Sequence, residues 1–208
     1  MRSGSDEARV GLRPLAAADV ARLARWLADP DVYAWYREGE PTVENLSARY
    51  RPIIEGRDPT SAWIVTIDGR PAGYVQCSEI AVGSTYADAL DLPDPYRSGV
   101  VGLDILLGEP DARGGGWGPL VLRAFLRAVV FGEWAAPAAI IAPELMNERA
   151  IHAYERAGFR WIKTVPITDA DPDNTEDEYV TVVTDEYVMG QTRDDFLARS
   201  GGVVPGPC

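Results

Sequence analysis

The sequence is poor in histidine and cysteine, the residues that most often bind transition metals. Its 208 residues include one histidine, His152, and two cysteines, Cys77 and Cys208. The cysteines stand far apart, so they match neither a disulfide framework nor a metal-binding motif, and a Ser-His-Asp triad would have only His152 to use. We therefore expect no metal site and a reducing, cytoplasmic environment.

A basic surface and long apolar runs are missing as well. The formal net charge is −12. Because phosphate backbones bind basic surfaces, we expect no nucleic-acid partner; a polycation is the better electrostatic match, although an acidic surface can also serve solubility alone. No stretch approaches the ~18 apolar residues of a membrane helix, and residues 1–10 lack the apolar core of a signal peptide, so we expect no membrane association.

What is present is the composition of one packed domain over residues 1–208. Hydrophobic residues make up 46% of the chain and charged residues 25%, which is typical of a soluble globular protein. Apolar residues at helical spacing predict two amphipathic helices before residue 56. Alternating apolar and polar residues then predict a hairpin over residues 63–82, with its turn at Asp68 and Gly69.

The second half of the chain is predicted to alternate strands and helices. Residues 83–98 are expected to form a loop, Val100–Leu107 a buried strand, and residues 120–129 an apolar helix. A short strand, a helix over residues 147–157 and two final strands follow, and the chain from about residue 194 is expected to be a flexible tail. This order predicts an α/β (α+β) fold in which helices flank a mixed, mostly antiparallel central sheet.

Glycines at positions 114, 115, 116 and 118 separate the buried strand from the apolar helix. A backbone without Cβ atoms can approach a ligand closely, and the N–H groups of a helix N-terminus bind anions, so the loop is suited to a phosphate or pyrophosphate. The alternative is a plain flexible connection. The loop lacks the Gly-Lys-Ser/Thr ending of a nucleoside-triphosphatase and the context of a dinucleotide-binding motif.

Two side chains are candidates for acid–base chemistry. Asp104 is the one charged residue of a buried strand, so it must be paired or do chemistry; the alternative is a carboxylate that local N–H groups stabilise. Tyr154 lies on the apolar face of its helix, and its phenol, with an ordinary pKa of ~10, can donate a proton to a thiolate; the alternative is a half-buried core residue. His152 lies opposite that face, and we expect no catalytic role for it.

Arg113, Gly116 and Gly118 match the Arg/Gln-x-x-Gly-x-Gly/Ala signature of the GNAT acetyltransferases, and residues 147–159 resemble that family's second hallmark. The resemblance implies that coenzyme A binds with its pyrophosphate on the glycine loop and that Tyr154 faces the thioester sulfur. The cofactor-binding residues that it implies are Leu106, Leu107, Arg113, Gly114, Gly116, Trp117, Gly118, Pro119, Asn147, Ala150 and Tyr154.

Further segments narrow the resemblance to the aminoglycoside 6′-N-acetyltransferases. They are Trp35-Tyr36, Gly73-Tyr74-Val75-Gln76, Val101-Gly102-Leu103-Asp104 and residues 187–193. In that family the aspartate at the position of Asp104 holds the amine to be acetylated, and aromatic and acidic residues line the antibiotic's cleft. The substrate-binding residues that the resemblance implies are Trp35, Tyr36, Tyr50, Gln76, Asp88, Asp104 and Asp185, with Asp91, Asp94 and Glu186 as further acidic candidates.

The expected function is acetyl transfer from acetyl-CoA to the 6′-amino group of a small cationic aminoglycoside, by a monomer or a homodimer. Asp104 would help to deprotonate the amine, directly or through water, Tyr154 would protonate the sulfur, and backbone N–H groups near Leu106 would polarise the carbonyl. The alternatives are a GNAT enzyme for another amine, such as a siderophore hydroxylamine, a lysine, a polyamine or a protein N-terminus, and a non-catalytic acetyl-CoA-binding module.

Two departures from the family pattern concern the choice of substrate. Ala142 stands where the family often has an acid at the end of a strand, and Glu144 follows two residues later. Residues 83–99 also form a longer connection than the family pattern leads us to expect.

Overall fold

A computed structural model describes residues 4–37, 39–170 and 181–201. The helices are α1 (Gly4–Glu7), α2 (Val20–Leu27), α3 (Pro30–Tyr33), α4 (Val43–Ile54), α5 (Thr85–Leu90), α6 (Trp117–Phe125), α7 (Glu148–Ala157) and α8 (Arg193–Ser200). The strands are β1 (Val10–Pro14), β2 (Ser61–Ile67), β3 (Arg70–Glu79), β4 (Val100–Leu107), β5 (Ala138–Ile141), β6 (Arg160–Ala170) and β7 (Thr181–Thr192). Short 3₁₀ turns cover Ala17–Asp19 and Pro110–Ala112, and α6 continues as a π-helix over Leu126–Glu133.

Local sequence signals set several of these boundaries. Asp68 and Gly69 both have positive φ angles, 52° and 77°, as a two-residue hairpin turn requires. The Asn147 side chain accepts a hydrogen bond of 3.1 Å from the backbone N–H of Ala150 and so begins α7. Gly158 ends α7 in a left-handed conformation with a φ of 113°. The predicted hairpin turn and the predicted ends of α7 are confirmed.

The strands of the described chain form one seven-stranded sheet in the order β1-β2-β3-β4-β5-β7-β6. β4 and β5 run parallel, and the other neighbouring pairs are antiparallel. Helices pack on both faces. This arrangement confirms the predicted mixed, mostly antiparallel sheet flanked by helices.

Side chains alternate between the two faces of the sheet, which produces separate apolar clusters. On one face, Val65 and Leu103 pack with residues of α6, α7 and α8. On the other face, Tyr74 and Leu106 pack under α2 and α4, whereas a second cluster around Val100 packs under α5. The central part of β3 and β4 therefore lies between two apolar clusters on this second face, and Asp104 is located there, paired in register with Gln76.

Two segments differ from the sequence prediction. Residues 83–98 were expected to be a loop, but they contain α5, because Ser84 accepts a hydrogen bond from the N–H of Ala87 and Leu90 is fully buried. The flexible tail expected from about residue 194 begins instead with α8, whose Phe196 is buried against Phe131 with ring centroids 5.2 Å apart. Residues 171–180, which connect the last two strands, lie outside the described residues, as do residues 202–208.

In the part of the chain that the structure describes, no helix combines the length and the apolar character needed to cross a bilayer.

Candidate active site

The site lies where the parallel strands β4 and β5 separate. Their pairing runs from Val100, opposite Ala138, to Gly102, opposite Ile140. β4 continues for five residues beyond this pairing, so backbone N–H and C=O groups in residues 103–107 face a gap rather than a neighbouring strand. A strand edge of this kind can bind an extended ligand through its backbone.

The glycine loop lies beside this gap and ends at the N-terminus of α6. Gly116 occupies the N-cap position with a φ of 79°, and no side chain makes a capping hydrogen bond there. The first turn of α6 also contains no acidic residue. Neither a side-chain cap nor a carboxylate of this turn therefore competes with an anion at this helix end, so the loop fits a pyrophosphate group.

Tyr154 reaches the gap from α7. It packs against the apolar cluster of the first face, with its ring centroid 6.5 Å from that of Phe159. Burial raises the pKa of the Tyr154 phenol above its ordinary value, and the negative charge of Asp104 raises it further. At neutral pH the phenol is therefore protonated and can serve as a proton donor.

Asp104 lies on β4 at the bottom of a cavity, where it is accessible from the cavity but surrounded by protein. Burial raises the pKa of its carboxyl group, against the smaller lowering effects of a hydrogen bond from Gln76 and of the charge of Arg49. The Gln76 amide donates to Asp104 Oδ2 at 2.8 Å and accepts from the Tyr74 hydroxyl at 2.7 Å. This chain of hydrogen bonds fixes the position of the carboxylate, and burial makes it more basic than an ordinary aspartate despite them.

The gap, the loop and these two side chains belong to one cavity of about 1110 Å³. Ligand pockets usually measure about 300–1,000 Å³, so this cavity has room for two substrates. A second cavity of about 450 Å³ adjoins it beneath Tyr86 and shares Gln76 and Asp104 with it. Asp104 lines both cavities, whereas Tyr154 lines the larger one.

The wall away from the glycine loop is acidic and aromatic. Trp35 and Tyr36 line it from the segment after α3, and Glu144 and Glu186 line it from the chain after β5 and from β7. Glu144 and Glu186 are paired in an isolated antiparallel bridge, so their carboxylates are neighbours. Arg37 donates to Glu144 Oε1 at 2.8 Å. A cationic ligand would find carboxylates and aromatic faces together at this end.

Comparison with known proteins identifies the family. A family model described as the acetyltransferase (GNAT) domain matches residues 16–167. The chain belongs to the GNAT acetyltransferases.

Individual GNAT relatives are similar over most of the chain. Aminoglycoside N(6′)-acetyltransferase type 1 of Klebsiella pneumoniae is 32% identical over 162 residues, which cover 77% of this chain and 78% of that protein. The structure of AAC(6′)-Ib with ribostamycin and coenzyme A has a TM-score of 0.69 and 29% identity, covering 90% of this chain and 95% of its own. The structure of aminoglycoside acetyltransferase AAC(6′)-Ib with coenzyme A and kanamycin has a TM-score of 0.67 and 26% identity, covering 92% and 99%.

The structure brings the residues expected to bind the GNAT cofactor into one place. They all line the larger cavity: Leu106, Leu107, Arg113, Gly114, Gly116, Trp117, Gly118, Pro119, Asn147, Ala150 and Tyr154. The Arg113 side chain has a further task, because it donates to Asp29 at the start of α3 and lies 3.8 Å from Asp31. Arg113 therefore ties the glycine loop to the helical layer in addition to lining the cofactor end.

Three of the expected substrate-binding residues lie elsewhere. Tyr50 is fully buried beneath α4, edge-on to Tyr74 with ring centroids 5.6 Å apart, because its helix turns it into the core. Asp88 is exposed on α5 and lines neither cavity. Asp185 is also exposed; because neighbouring strand residues face opposite sides, Glu186 lines the cavity in its place. Trp35, Tyr36, Gln76 and Asp104 do line it.

Several basic residues of the cavity were not predicted to take part in it. Arg37 and Arg49 line the acidic end, and Arg149, His152 and Arg156 line the cofactor end. The last three recur at i, i+3 and i+7, which places them on one face of α7, and this spacing could have indicated a cationic face. Nothing in the sequence around Arg37 indicates its partner, because Glu144 lies 107 residues away.

Proposed function

We propose that the protein transfers the acetyl group of acetyl-CoA to the 6′-amino group of aminoglycoside antibiotics. The observation that carries this proposal is one cavity lined by the N-terminus of α6, by acidic and aromatic residues of the acceptor end, and by both Tyr154 and Asp104. The similarity to aminoglycoside 6′-N-acetyltransferases over most of the chain supports the same substrate class.

The cofactor end binds an extended, anionic molecule through the backbone. The N–H groups of α6 hold the pyrophosphate, and the free edge of β4 hydrogen-bonds the arm that carries the thioester. The cations on α7, Arg149 and Arg156, add positive charge at this end. Acetyl-CoA supplies the activated acyl group. The chain's own groups place the thioester in the gap beside Tyr154.

The acceptor end orients an amine and removes its proton. Aminoglycosides carry several ammonium groups, which the net charge of −12 and the carboxylates of the cavity attract. Asp104 accepts a proton from the 6′-ammonium, directly or through water, and the neutral amine then attacks the thioester carbonyl. Tyr154 donates its proton to the departing sulfur. Holding both reactants in one gap supplies the effective concentration on which such a direct transfer depends.

The proposed reaction needs an environment that contains acetyl-CoA. It is compatible with a monomer and with a homodimer in which each chain has its own cavity. Cys77 is a buried free thiol, consistent with a reducing compartment, and we place the reaction in the cytoplasm.

Release of free thiol from acetyl-CoA tests the proposal directly. Kanamycin or tobramycin, which carry a 6′-amine, should cause release, whereas an aminoglycoside with a 6′-hydroxyl group should not. Release with neither antibiotic but with a lysine, polyamine or hydroxylamine acceptor would assign the enzyme to another amine. Binding of acetyl-CoA without release in the presence of any of these amines would indicate a non-catalytic module.

A further inference from the structure

The segment from Asp29 to Arg37, here called the strap, lines the large cavity and is held by an ion pair at each end. At one end, Asp29 accepts a hydrogen bond from Arg113 of the glycine loop. At the other end, Arg37 donates to Glu144 at 2.8 Å. Between them, Trp35 and Tyr36 line the cavity. The strap therefore connects the cofactor end to the acceptor end.

The two ion pairs differ in the solvent exposure of their arginines, whereas the side chains of Asp29 and Glu144 are both 27% exposed. The Arg113 side chain is 11% exposed, and its partner Asp29 also accepts a hydrogen bond from the N–H of Asp31 at 3.0 Å. The Arg37 side chain is 33% exposed and that of Glu144 27%. An accessible ion pair is weakly held, with a typical contribution of about 0–1 kcal/mol, so the pair at the acceptor end is the one that a ligand can exchange.

Glu144 is also placed where a cationic substrate would use it. It is the neighbour of Glu186 across the bridge between the two chain segments, and both line the same cavity as Asp104. Arg37 is thus a cation of the protein itself that pairs with one of the carboxylates at the acceptor end.

We propose that Arg37 is a specificity-determining residue that competes with the substrate for Glu144. This inference rests on the proposed function, since it assumes a substrate with several ammonium groups. Such a substrate contacts Asp104 with its reacting amine and replaces Arg37 at Glu144 with a second ammonium group. An acceptor with a single amine gains nothing from the exchange. Arg37 therefore weakens the binding of polycationic acceptors and leaves the chemical step unchanged.

The test is the variant Arg37→Met, which removes the competing cation while keeping an unbranched side chain. The KM for kanamycin should fall by about threefold to fivefold, as expected for the release of one accessible ion pair, with kcat and the KM for acetyl-CoA unchanged. Arg37→Lys retains a cation and should keep the KM near that of the wild type. A KM that rises or stays constant in Arg37→Met overturns the inference.

Two controls separate this competition from a general charge effect. Arg57→Met removes the same charge from an exposed arginine that is paired with nearby Glu55 and does not line the cavity, so it should leave both KM values unchanged. Glu144→Gln should raise the KM for kanamycin, and the double variant Arg37→Met/Glu144→Gln should match Glu144→Gln alone. If Arg37→Met still lowered the KM for kanamycin in the Glu144→Gln background, competition for that carboxylate would be contradicted.

Calorimetric titration of kanamycin into each variant with coenzyme A bound distinguishes the inference from the proposed function. Binding that tightens in Arg37→Met without turnover by any variant supports the competition and rejects acetylation of the antibiotic. Turnover by the wild type with equal affinities in both proteins supports the function and rejects the competition. Absence of both binding and turnover rejects both.

Discussion

The two ends of the cavity are built from different parts of the polypeptide. The cofactor end consists largely of backbone: the open N-terminus of α6 and the free edge of β4. The acceptor end consists of side chains from four separate segments, with Trp35 after α3, Gln76 on β3, Glu144 after β5 and Glu186 on β7. The first end depends on a local fold, and the second depends on the tertiary structure.

This difference indicates where specificity for the cofactor and specificity for the acceptor are located. Backbone N–H groups are present whatever the side chains are, so the cofactor end tolerates substitutions that keep its conformation. At the acceptor end, by contrast, replacing one side chain changes a contact with the ligand. Substitutions at the two ends should therefore have separable effects, and Tyr154, which serves both reactants, should have the largest.

Tyr154→Phe removes the proposed proton donor. The value of kcat should fall by about 10²–10⁴-fold, the range typical of general acid catalysis, while the dissociation constant of acetyl-CoA changes little. Steady-state kinetics and titration with coenzyme A measure the two quantities. Burial and Asp104 raise the pKa of this phenol. Deprotonation of Tyr154 should therefore not reduce kcat at any pH below ~10, the ordinary tyrosine pKa. An unchanged kcat in Tyr154→Phe would remove this residue from the acid role.

Asp104→Asn should lower kcat/KM for the aminoglycoside by about 100-fold, because the amide cannot accept the proton. In the wild type, kcat/KM should fall as the pH decreases through the pKa of Asp104, which lies above the ordinary value, since only the carboxylate is active. Asp88→Asn is the matched control: it removes the same charge from an exposed site outside both cavities. Comparable losses in the two variants would point to bulk charge rather than to the position of Asp104.

Gly116→Ala tests the cofactor end, because Gly116 has a φ of 79°, which L side chains adopt at a cost of about 1–2 kcal/mol. The displaced N–H groups should raise the KM for acetyl-CoA by about fivefold to tenfold, with a small effect on the KM for the aminoglycoside. Gly56→Ala introduces a similar strain at a φ of 67°, in open space. It should lower the Tm by about 2–8 °C and leave both KM values unchanged. Equal kinetic effects in both variants would mean that strain alone explains the loss.

The sequence predicted the cofactor end better than the acceptor end for a physical reason. Residues 113–118 and the N-cap Asn147 act through local conformation, so their spacing in the sequence carries their role. The positions of Tyr50 and Asp88 depend instead on how a helix is rotated against the sheet. On β7, the neighbouring residues Asp185 and Glu186 face opposite sides of the sheet, so an error of one residue decides which of them lines the cavity.

The strands and helices show the same difference between local signals and tertiary contacts. The strand Val100–Leu107 follows from its apolar pattern, and its bounds are those predicted. α5 was missed because its signal, Ser84 at the N-cap and the buried Leu90, lies in a segment otherwise rich in Asp, Pro and Tyr. α8 was missed because its main stabilising contact, Phe196 against Phe131, joins distant parts of the chain.

The position of α8 connects it to the helix that carries Tyr154. Arg199 of α8 donates a hydrogen bond to the carbonyl oxygen of Gly158, the residue that ends the helix carrying Tyr154. A truncated protein that stops at Thr192 would lose this clamp and would also uncover Phe131. The C-terminal end of α7, the helix that carries Tyr154, would then be less stable. In the described chain, α8 therefore supports the helix that carries the proposed proton donor, so removing α8 should impair acetyl transfer as well as stability.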